Sequence, residues 1–308
     1  MSATAAGHAE AGRAADQRRA GVLFALGCFG IWGFAALYFR QLDGVPPLEI
    51  LLHRSAWSVI FLLPIVLWSG RLGSIRRALV TRRAWLTLLL SATLLAVNWL
   101  IFIYAVEVDR VLECSLGYYI NPLMSVALGV LALGERLGRL QLLAIGLAAA
   151  GVLVLALEGD GFPWIALSLA ATFAFYGLLR KTMALGSADG LLAETLLLLP
   201  VMLGGMLWLA LSGEARFAGG ELRVDLLLAA SGIVTAVPLL LFASAARRLK
   251  LSSIGMFQYI GPTVQFFLAV FLFGEPFTAA YAITFALIWL AVALFLVESW
   301  RQTRAAKA

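Results

Sequence analysis

Residues 119–122 read Tyr-Ile-Asn-Pro, and residues 259–262 read Tyr-Ile-Gly-Pro, 140 positions further along the chain. Both segments lie inside long apolar stretches. In each case the pair Gly-Glu follows the proline at the same interval, as Gly134-Glu135 and Gly274-Glu275. A motif that recurs at a fixed separation indicates that the chain consists of two related halves.

The composition places both halves in a lipid bilayer. Of the 308 residues, 62% are hydrophobic and only 13% are charged, and the mean hydropathy is +0.96. Because an ordinary soluble domain is about a quarter charged, these values exclude a soluble enzyme, a disordered regulator and a nucleic-acid binder. Cys28 and Cys114 lie in apolar runs, which predicts packed thiols rather than a disulfide framework.

Apolar runs long enough to cross a membrane occur ten times. A bilayer core of about 30 Å takes about 20 helical residues. The runs are hydrophobic nearly all round, which favours helices over a membrane β-barrel. We therefore predict an all-α integral membrane protein with ten transmembrane helices and short tails at 1–19 and 299–308. The predicted spans are 20–40, 47–69, 85–106, 111–133, 139–157, 162–180, 188–211, 225–246, 251–273 and 277–298.

The basic residues predict the orientation of these spans. If the N-terminus lies in the cytoplasm, eighteen Lys and Arg residues fall on the cytoplasmic side and Arg54 falls inside a span. Four basic residues fall on the other side, namely Arg40, Arg110, Arg216 and Arg223. Short cytoplasmic loops are enriched in Lys and Arg, so both termini are predicted to be cytoplasmic.

The two halves, at 20–157 and 162–298, contain five predicted spans each. Because five is an odd number, the second half must enter the membrane from the opposite face. Inverted repeats of this kind are typical of secondary transporters, which bind their solute near the bilayer midplane between the halves.

The paired segments resemble the EamA repeats of the drug/metabolite transporter superfamily. More narrowly, Gly30-Ile-Trp-Gly33, Glu49-Ile-Leu-Leu-His-Arg54 and Ser115-Leu-Gly-Tyr-Tyr-Ile-Asn-Pro122 resemble its RarD branch. This resemblance covers about residues 20–298. It implies a permease of the bacterial inner membrane that exports or exchanges small metabolites or drugs. It does not identify the solute, since the superfamily handles amino acids, nucleotides, sugars and drugs.

Polar side chains within the spans are the candidates for solute contact, because they are costly in hydrocarbon unless they face a cavity or a partner. One helical face of the fourth span carries such residues, and the ninth span carries their counterparts beside an equivalent proline. We predict that they form a hydrogen-bonding cavity wall with helix bends used in gating; interhelical hydrogen bonding is the alternative. The residues are Tyr118, Asn121, Ser125 and Pro122 on the fourth span, and Gln258, Gly261, Gln265 and Pro262 on the ninth.

Arg54 lies about 11 Å inside the second span, too deep for its charge to reach water easily. A guanidinium at this depth suits a carboxylate or phosphate, which predicts an anion clamp. The alternatives are a structural ion pair with Glu49 or a loop carboxylate, or the capping of helix carbonyls. His53 suits either proton coupling or core packing. Glu194 is the acid nearest mid-span, so the sequence lacks a clear carboxylate proton relay.

Aromatic side chains on the predicted cavity helices are candidates for stacking on an aromatic or cationic solute. Packing and interfacial anchoring are the alternatives. The residues are Trp32, Trp57, Trp99, Tyr104 and Tyr176, and Asn98 is a further polar candidate.

Other membrane functions fit the sequence less well. The spans contain one histidine, no paired aspartates, no metal-ligand cluster and no phosphate-binding loop, so we expect no catalysis, cofactor or metal. A channel and a scaffold remain as alternatives. The prediction is a gradient-driven transporter of an amino-acid-like solute, another metabolite or an amphenicol-like drug; a homodimer is compatible with it.

Overall fold

A computed structural model describes residues 2–68, 73, 80–133, 138–159, 161–183, 187–246, 248–249 and 256–305. Within these ranges the chain forms helices and connecting segments, with no β-strand. The Gly134-Glu135 pair lies outside the described residues, as does the beginning of the predicted ninth span.

The described helices follow the order of the predicted spans. They are α1 (Ser2–Phe39), α2 (Pro47–Trp68), α3 (Arg82–Glu107), α4 (Val111–Leu133), α5 (Arg139–Glu158), α6 (Trp164–Thr182), α7 (Ser187–Ser212), α8 (Leu222–Ala246), α9 (Ile260–Phe267) and α10 (Ala279–Ala305). A 3-10 turn (Arg40–Leu42) follows α1, and a π-helical segment (Leu268–Leu272) continues α9.

Two helices differ from the prediction. The polar tail predicted at 1–19 is helical from Ser2 and continuous with the first span. The ninth span is interrupted by a turn at Gln258 and Tyr259, so Pro262 lies in the first turn of α9. A proline there removes no helical hydrogen bond, because the first N–H groups of a helix have no partner within it. Pro122, in contrast, lies inside α4.

Six helical stretches among the described residues are long and apolar enough to cross a membrane: Asp16–Leu42, Arg82–Glu107, Arg139–Glu158, Asp189–Ser212, Leu222–Phe242 and Ala279–Glu298. Shorter apolar stretches occur at Trp164–Arg180 and Ile260–Leu272.

The most extensive contacts between helices are preserved when each helix is exchanged with the one five places away along the chain. The α4–α6 contact corresponds to α9–α1, α2–α8 to α7–α3, and α1–α8 to α6–α3. The α2–α7, α4–α9 and α5–α10 contacts each correspond to themselves. All of these contacts join a helix of the first half of the chain to a helix of the second.

Small residues permit two of the corresponding contacts. A Cβ atom on Gly117 of α4 would lie 2.7 Å from the carbonyl oxygen of Ala166 on α6. A Cβ atom on Gly33 of α1 would likewise lie 2.7 Å from the Cβ of Val264 on α9. These short distances leave no room for a larger side chain. The two glycines therefore allow α4 to pack closely on α6, and α9 on α1.

Candidate solute-binding site

The two copies of the repeated motif meet where α4 packs on α9. Ser115 Oγ donates a hydrogen bond to the carbonyl oxygen of Pro262 at 2.8 Å. The hydroxyl oxygens of Tyr119 and Thr263 are 2.6 Å apart, and the rings of Tyr119 and Tyr259 stack with centroids 5.9 Å apart. The motif that indicated a duplicated sequence thus forms a polar contact between the halves.

Arg54 is buried where several helices converge. Its side chain comes from α2, and its Nε donates to Thr235 Oγ1 of α8 at 3.1 Å. The guanidinium carbon lies 5.0 Å from the ring centroid of Phe39 on α1 and 4.3 Å from that of Trp99 on α3. Both rings present electron-rich faces to the cation, which partly replace its hydration.

Two neutral phenol groups also lie near Arg54. The phenol groups of Tyr38 and Tyr118 lie close enough to interact electrostatically with its guanidinium. Within the described part of the chain, no carboxylate lies within 4.0 Å of Arg54. A buried cation without an acid partner is costly, so this environment favours a bound anion.

Glu49, one of the acids considered as a partner for Arg54, is engaged elsewhere. Its carboxylate accepts the backbone N–H of Arg216 at 2.9 and 3.0 Å, and that of Phe217 at 2.9 Å. It thereby ties the first turn of α2 to the connection between α7 and α8. The proposed Arg54–Glu49 ion pair is therefore not formed in this structure.

His53 lies next to Arg54 on α2. Its Nδ1 accepts a hydrogen bond from Trp57 Nε1 at 3.1 Å, and its ring lies 4.5 Å from that of Phe217. A ring nitrogen that accepts a hydrogen bond carries no proton, so this contact fits a neutral histidine. The geometry agrees with the packing interpretation of both His53 and Trp57.

A second polar cluster surrounds Glu194 of α7, which is 1% exposed. One carboxylate oxygen, Oε1, accepts from Ser91 of α3 and lies 3.7 Å from Nη1 of Arg180 on α6. The other, Oε2, accepts from the hydroxyl of Tyr176 at 3.4 Å. Tyr176 therefore belongs to an acidic cluster, which the sequence analysis did not recognise.

The two asparagines make local or interhelical hydrogen bonds. Asn98 Nδ2 donates from α3 to the carbonyl oxygen of Leu169 at 3.0 Å and to Thr172 Oγ1 at 2.9 Å, both on α6. Asn121 is buried, and its Oδ1 accepts from Ser125 at 3.4 Å. Asn98, predicted as a polar cavity candidate, therefore joins α3 to α6 through interhelical hydrogen bonds.

Gln265 and Trp32 lie together where α9 contacts α1. Gln265 Nε2 donates to the carbonyl oxygen of Trp32 at 3.3 Å. Its buried Oε1 has no hydrogen-bond partner among the described residues. The Trp32 ring packs edge-on against Phe29, with centroids 5.6 Å apart. Gln258 is half-buried in the turn before α9.

Tyr104 does not join any of these clusters. Its side chain is 39% exposed, and its ring packs against Trp164 with centroids 5.9 Å apart. This position at the end of α3 suits an interfacial anchor. The structure therefore does not place Tyr104 in the predicted cavity.

Two cavities flank the Arg54 environment. One of about 90 Å³ is lined by Phe39, Arg40, Asp43 and Asp109 among others, and it reaches the surface because Asp43 and Asp109 are exposed. The other, of about 20 Å³, lies between Ser55, Trp99, Glu194 and Thr195. Phe39 of the first cavity and Trp99 of the second both contact the Arg54 guanidinium.

Comparison with known proteins agrees with this architecture. The EamA-like transporter family matches residues 19–157. Protein RarD of Salmonella typhi is 47% identical over 285 residues, which span 92% of this chain and 97% of that protein. Protein RarD of Escherichia coli (strain K12) is 45% identical over 294 residues, which span 95% and 99% of the two chains.

A solved crystal structure has the same fold. It superposes with a TM-score of 0.60 at 19% sequence identity, over 92% of this chain and 99% of its own. With near-complete coverage by bacterial relatives, the chain belongs to the RarD branch of the EamA-like transporter family, as a multi-pass permease of the bacterial inner membrane.

Proposed function

We propose that the protein is a secondary transporter that moves a small anionic or zwitterionic solute by alternating access, with Arg54 as the anion-binding residue. The observation that carries this proposal is the burial of Arg54 among aromatic rings and hydroxyls, with no acid partner in the described part of the chain. A planar guanidinium holds a carboxylate or phosphate through two parallel hydrogen bonds.

The transport mechanism rests on two inverted five-helix halves, at 20–157 and 162–298, with ten membrane spans in all. The exchange symmetry of the helix contacts and the repeated Tyr-Ile-x-Pro motif support this arrangement. The distribution of basic residues supports cytoplasmic termini. In this arrangement, the solute site lies between the halves near the bilayer midplane.

Movement of the halves would change the contact between α4 and α9. The Ser115–Pro262 and Tyr119–Thr263 hydrogen bonds join the halves beside Pro122 and Pro262. Pro122, inside α4, leaves the carbonyl of Tyr118 without a helical donor and permits a bend there. In the second half, the turn at Gln258 and Tyr259 interrupts the helix just before Pro262. We propose that α4 and α9 pivot at these positions as the cavity opens to one side and then to the other.

The first test of the proposal is to identify the solute. A thermal-shift screen of the purified protein against amino acids, nucleotides and amphenicol drugs selects ligands that bind and stabilise the folded state. Flux of each selected solute is then measured in proteoliposomes. Saturable exchange that is accelerated by solute on the opposite side supports a carrier, whereas conductance supports a channel and neither supports a scaffold.

The variant Arg54→Ala tests the assigned residue. We expect it to abolish transport of solutes with a carboxylate or phosphate while folded protein remains in the membrane. Arg83→Ala, at an exposed position at the start of α3, is the matched control. Unchanged transport by Arg54→Ala would remove Arg54 from the site.

A further inference from the structure

We propose that Glu194 is a proton-binding site that couples solute movement to a proton gradient, an inference that rests on the proposed transport function. The Glu194 cluster is separate from the Arg54 environment, and solute binding at Arg54 does not account for it. It contains a buried carboxylate with partners on two other helices.

Glu194 occupies the same position in its helix as Arg54. Arg54 lies seven residues after Pro47, the first residue of α2, and Glu194 lies seven residues after Ser187, the first residue of α7. The two positions are 140 apart, which is the separation of the repeated motif. Each side chain begins about 11 Å along its helix, so in an inverted repeat the two charges lie at equal depths from opposite membrane faces.

The hydrogen-bond partners of Glu194 suit both protonation states. Ser91 and Tyr176 provide hydroxyl groups, and a hydroxyl can either donate to a carboxylate or accept from a carboxylic acid. Rotation of one hydroxyl is therefore enough to satisfy the added O–H. A backbone N–H or a lysine ammonium in the same place could not accept a hydrogen bond from the added O–H.

Arg180 is the cation whose ion pair with Glu194 is broken when Glu194 is protonated. Its Nη1 lies 3.7 Å from Glu194 Oε1, and its side chain is 14% exposed, two residues before the end of α6. It also packs directly on the backbone of Gly190, one turn before Glu194 on α7. The Arg180–Glu194 pair thus joins the end of α6 to the beginning of α7.

The described polar and charged groups around Glu194 come from three helices. Helix α6 contributes Arg180 and Tyr176, α3 contributes the hydroxyl of Ser91, and Asp189 lies five residues earlier on α7 itself. Among the described residues, Arg180 is the one cation within 4.0 Å of the carboxylate. When a proton binds Glu194, the carboxyl becomes neutral and its electrostatic attraction to Arg180 is lost.

A small cavity beside Glu194 provides a route for a proton from the side of the solute site. The cavity of about 20 Å³ beside Glu194 is also lined by Ser55, Thr195 and Trp99. A cavity of this size holds about one water molecule. Ser55 is adjacent to Arg54 in sequence, and Trp99 contacts its guanidinium, so the cavity connects Glu194 with two neighbours of Arg54.

The coupling step involves one proton and no other bond change. A proton from water on one side forms an O–H bond with a carboxylate oxygen of Glu194, and Arg180 separates from it. After the halves reorient, the O–H bond breaks, the proton passes to water on the other side, and the Arg180–Glu194 pair forms again. Solute moves in the opposite direction during the cycle.

The first experiment measures protonation directly, without any solute. Infrared difference spectra of the purified protein are recorded during a pH titration, and the carbonyl band of a protonated carboxylic acid is followed. We expect one titrating component of this band in the wild type to be absent in Glu194→Gln and retained in Glu158→Gln, an exposed acid at the end of α5. Glu275→Gln identifies the separate component of Glu275, whose pKa is also raised. A Glu194→Gln spectrum that lacks no titrating component of the wild-type band would overturn the proposal.

The second experiment distinguishes coupling from a purely structural ion pair. Proteoliposomes are loaded with a radiolabelled mixture of the common amino acids, and flux is compared with and without a pH gradient. In Glu194→Gln we expect loss of gradient-driven flux, while exchange at equal pH continues. Gradient-driven flux equal to that of the wild type would contradict the proposal. If no amino acid moves in the wild type, amino acids are excluded as the solute, and the infrared titration still decides the role of Glu194.

Discussion

The hydroxyl oxygens of Tyr119 on α4 and Thr263 on α9 lie 2.6 Å apart, and the direction of their hydrogen bond is determined by a third contact. Thr263 Oγ1 donates to the carbonyl oxygen of Tyr259 at 2.7 Å, which uses its one hydrogen. Tyr119 must therefore donate to Thr263. A side chain of the first half thus binds a helix turn of the second, next to the repeated proline.

Removal of this hydroxyl tests how strongly the halves are joined. We expect Tyr119→Phe to lower the free energy of unfolding by about 0.5–1.5 kcal/mol, because the ring packing is kept and one hydrogen bond is lost. The measurement is chemical unfolding of the purified protein in detergent. Tyr104→Phe is the matched control, since Tyr104 is exposed and packs only through its ring among the described contacts.

A double-mutant cycle measures the Tyr119–Thr263 interaction energy apart from the other contacts of these two residues. If the hydroxyls interact as described, Thr263→Val should lower the free energy of unfolding less in the Tyr119→Phe background than in the wild type. In the Tyr119→Phe background, it removes little more than the hydrogen bond from Thr263 to Tyr259. Fully additive effects would show that the Tyr119–Thr263 contact contributes nothing to stability.

Glu49 provides a prediction about the connection between α7 and α8. Its carboxylate accepts the backbone N–H groups of Arg216 and Phe217, so Glu49→Ala leaves both donors without their partner. We expect the free energy of unfolding to fall by about 1–3 kcal/mol. Glu107→Ala, at the exposed end of α3, should change it by less than about 0.5 kcal/mol. Equal losses in the two variants would show that the Glu49 bonds are not stabilising.

The sequence predicted the helices well because their signal is local. Hydrophobic runs of about 20 residues need no tertiary contact to be recognised. It also singled out Arg54, since an arginine inside such a run is rare. The break at Gln258 and Tyr259 was missed, because the run is hydrophobic on both sides of the turn.

The partners of Arg54 and Glu194 could not be predicted in the same way. Thr235 lies 181 residues from Arg54, and Ser91 lies 103 residues from Glu194. Hydroxyl side chains are common in membrane helices and usually bond to their own helix, so only the packing of α8 and α3 identifies these two. Tyr38 and Phe39 were also not predicted, because only the packing of α1 places them beside Arg54. The one available signal was the 140-residue separation of Arg54 and Glu194, which equals that of the motif.

Glu275 predicts a pH dependence of stability outside the membrane spans. Its carboxylate accepts the backbone N–H of Val111 at 2.7 Å and of Leu112 at 2.8 Å, at the first turn of α4. Burial nevertheless raises the pKa of Glu275 from 4.5 to about 7. The folded state therefore binds more protons than the unfolded state between these values, and stability must fall as the pH rises through this range.

The variant Glu275→Gln isolates this effect. We expect the free energy of unfolding of the wild type to decrease between about pH 4.5 and pH 7, by up to roughly 3 kcal/mol more than that of Glu275→Gln. Unfolding curves at several pH values provide the comparison. Parallel pH profiles for the two proteins would show that Glu275 titrates at the same pH in the folded and unfolded states.

Thr235 offers a way to alter Arg54 without removing its charge. Thr235 Oγ1 donates to the carbonyl oxygen of Ser231 at 2.9 Å, so its lone pair is free to accept from Arg54 Nε at 3.1 Å. Thr235→Val keeps the shape of the side chain but removes this acceptor. The guanidinium then keeps its charge and loses the contact that fixes its orientation.

We expect Thr235→Val to weaken binding of a carboxylate solute about tenfold, equivalent to 1.4 kcal/mol, because two parallel hydrogen bonds require a fixed guanidinium plane. Arg54→Lys, which keeps the charge but lacks the planar fork, should weaken it at least as much. Thr93→Val is the control, since Thr93 is exposed and its hydroxyl bonds only to the carbonyl oxygen of Leu89 on its own helix. The measurement is the solute concentration that gives half-maximal exchange. If Thr235→Val and Thr93→Val behave alike, the orientation of Arg54 does not depend on α8, and the contact between the halves has no part in recognising the anion.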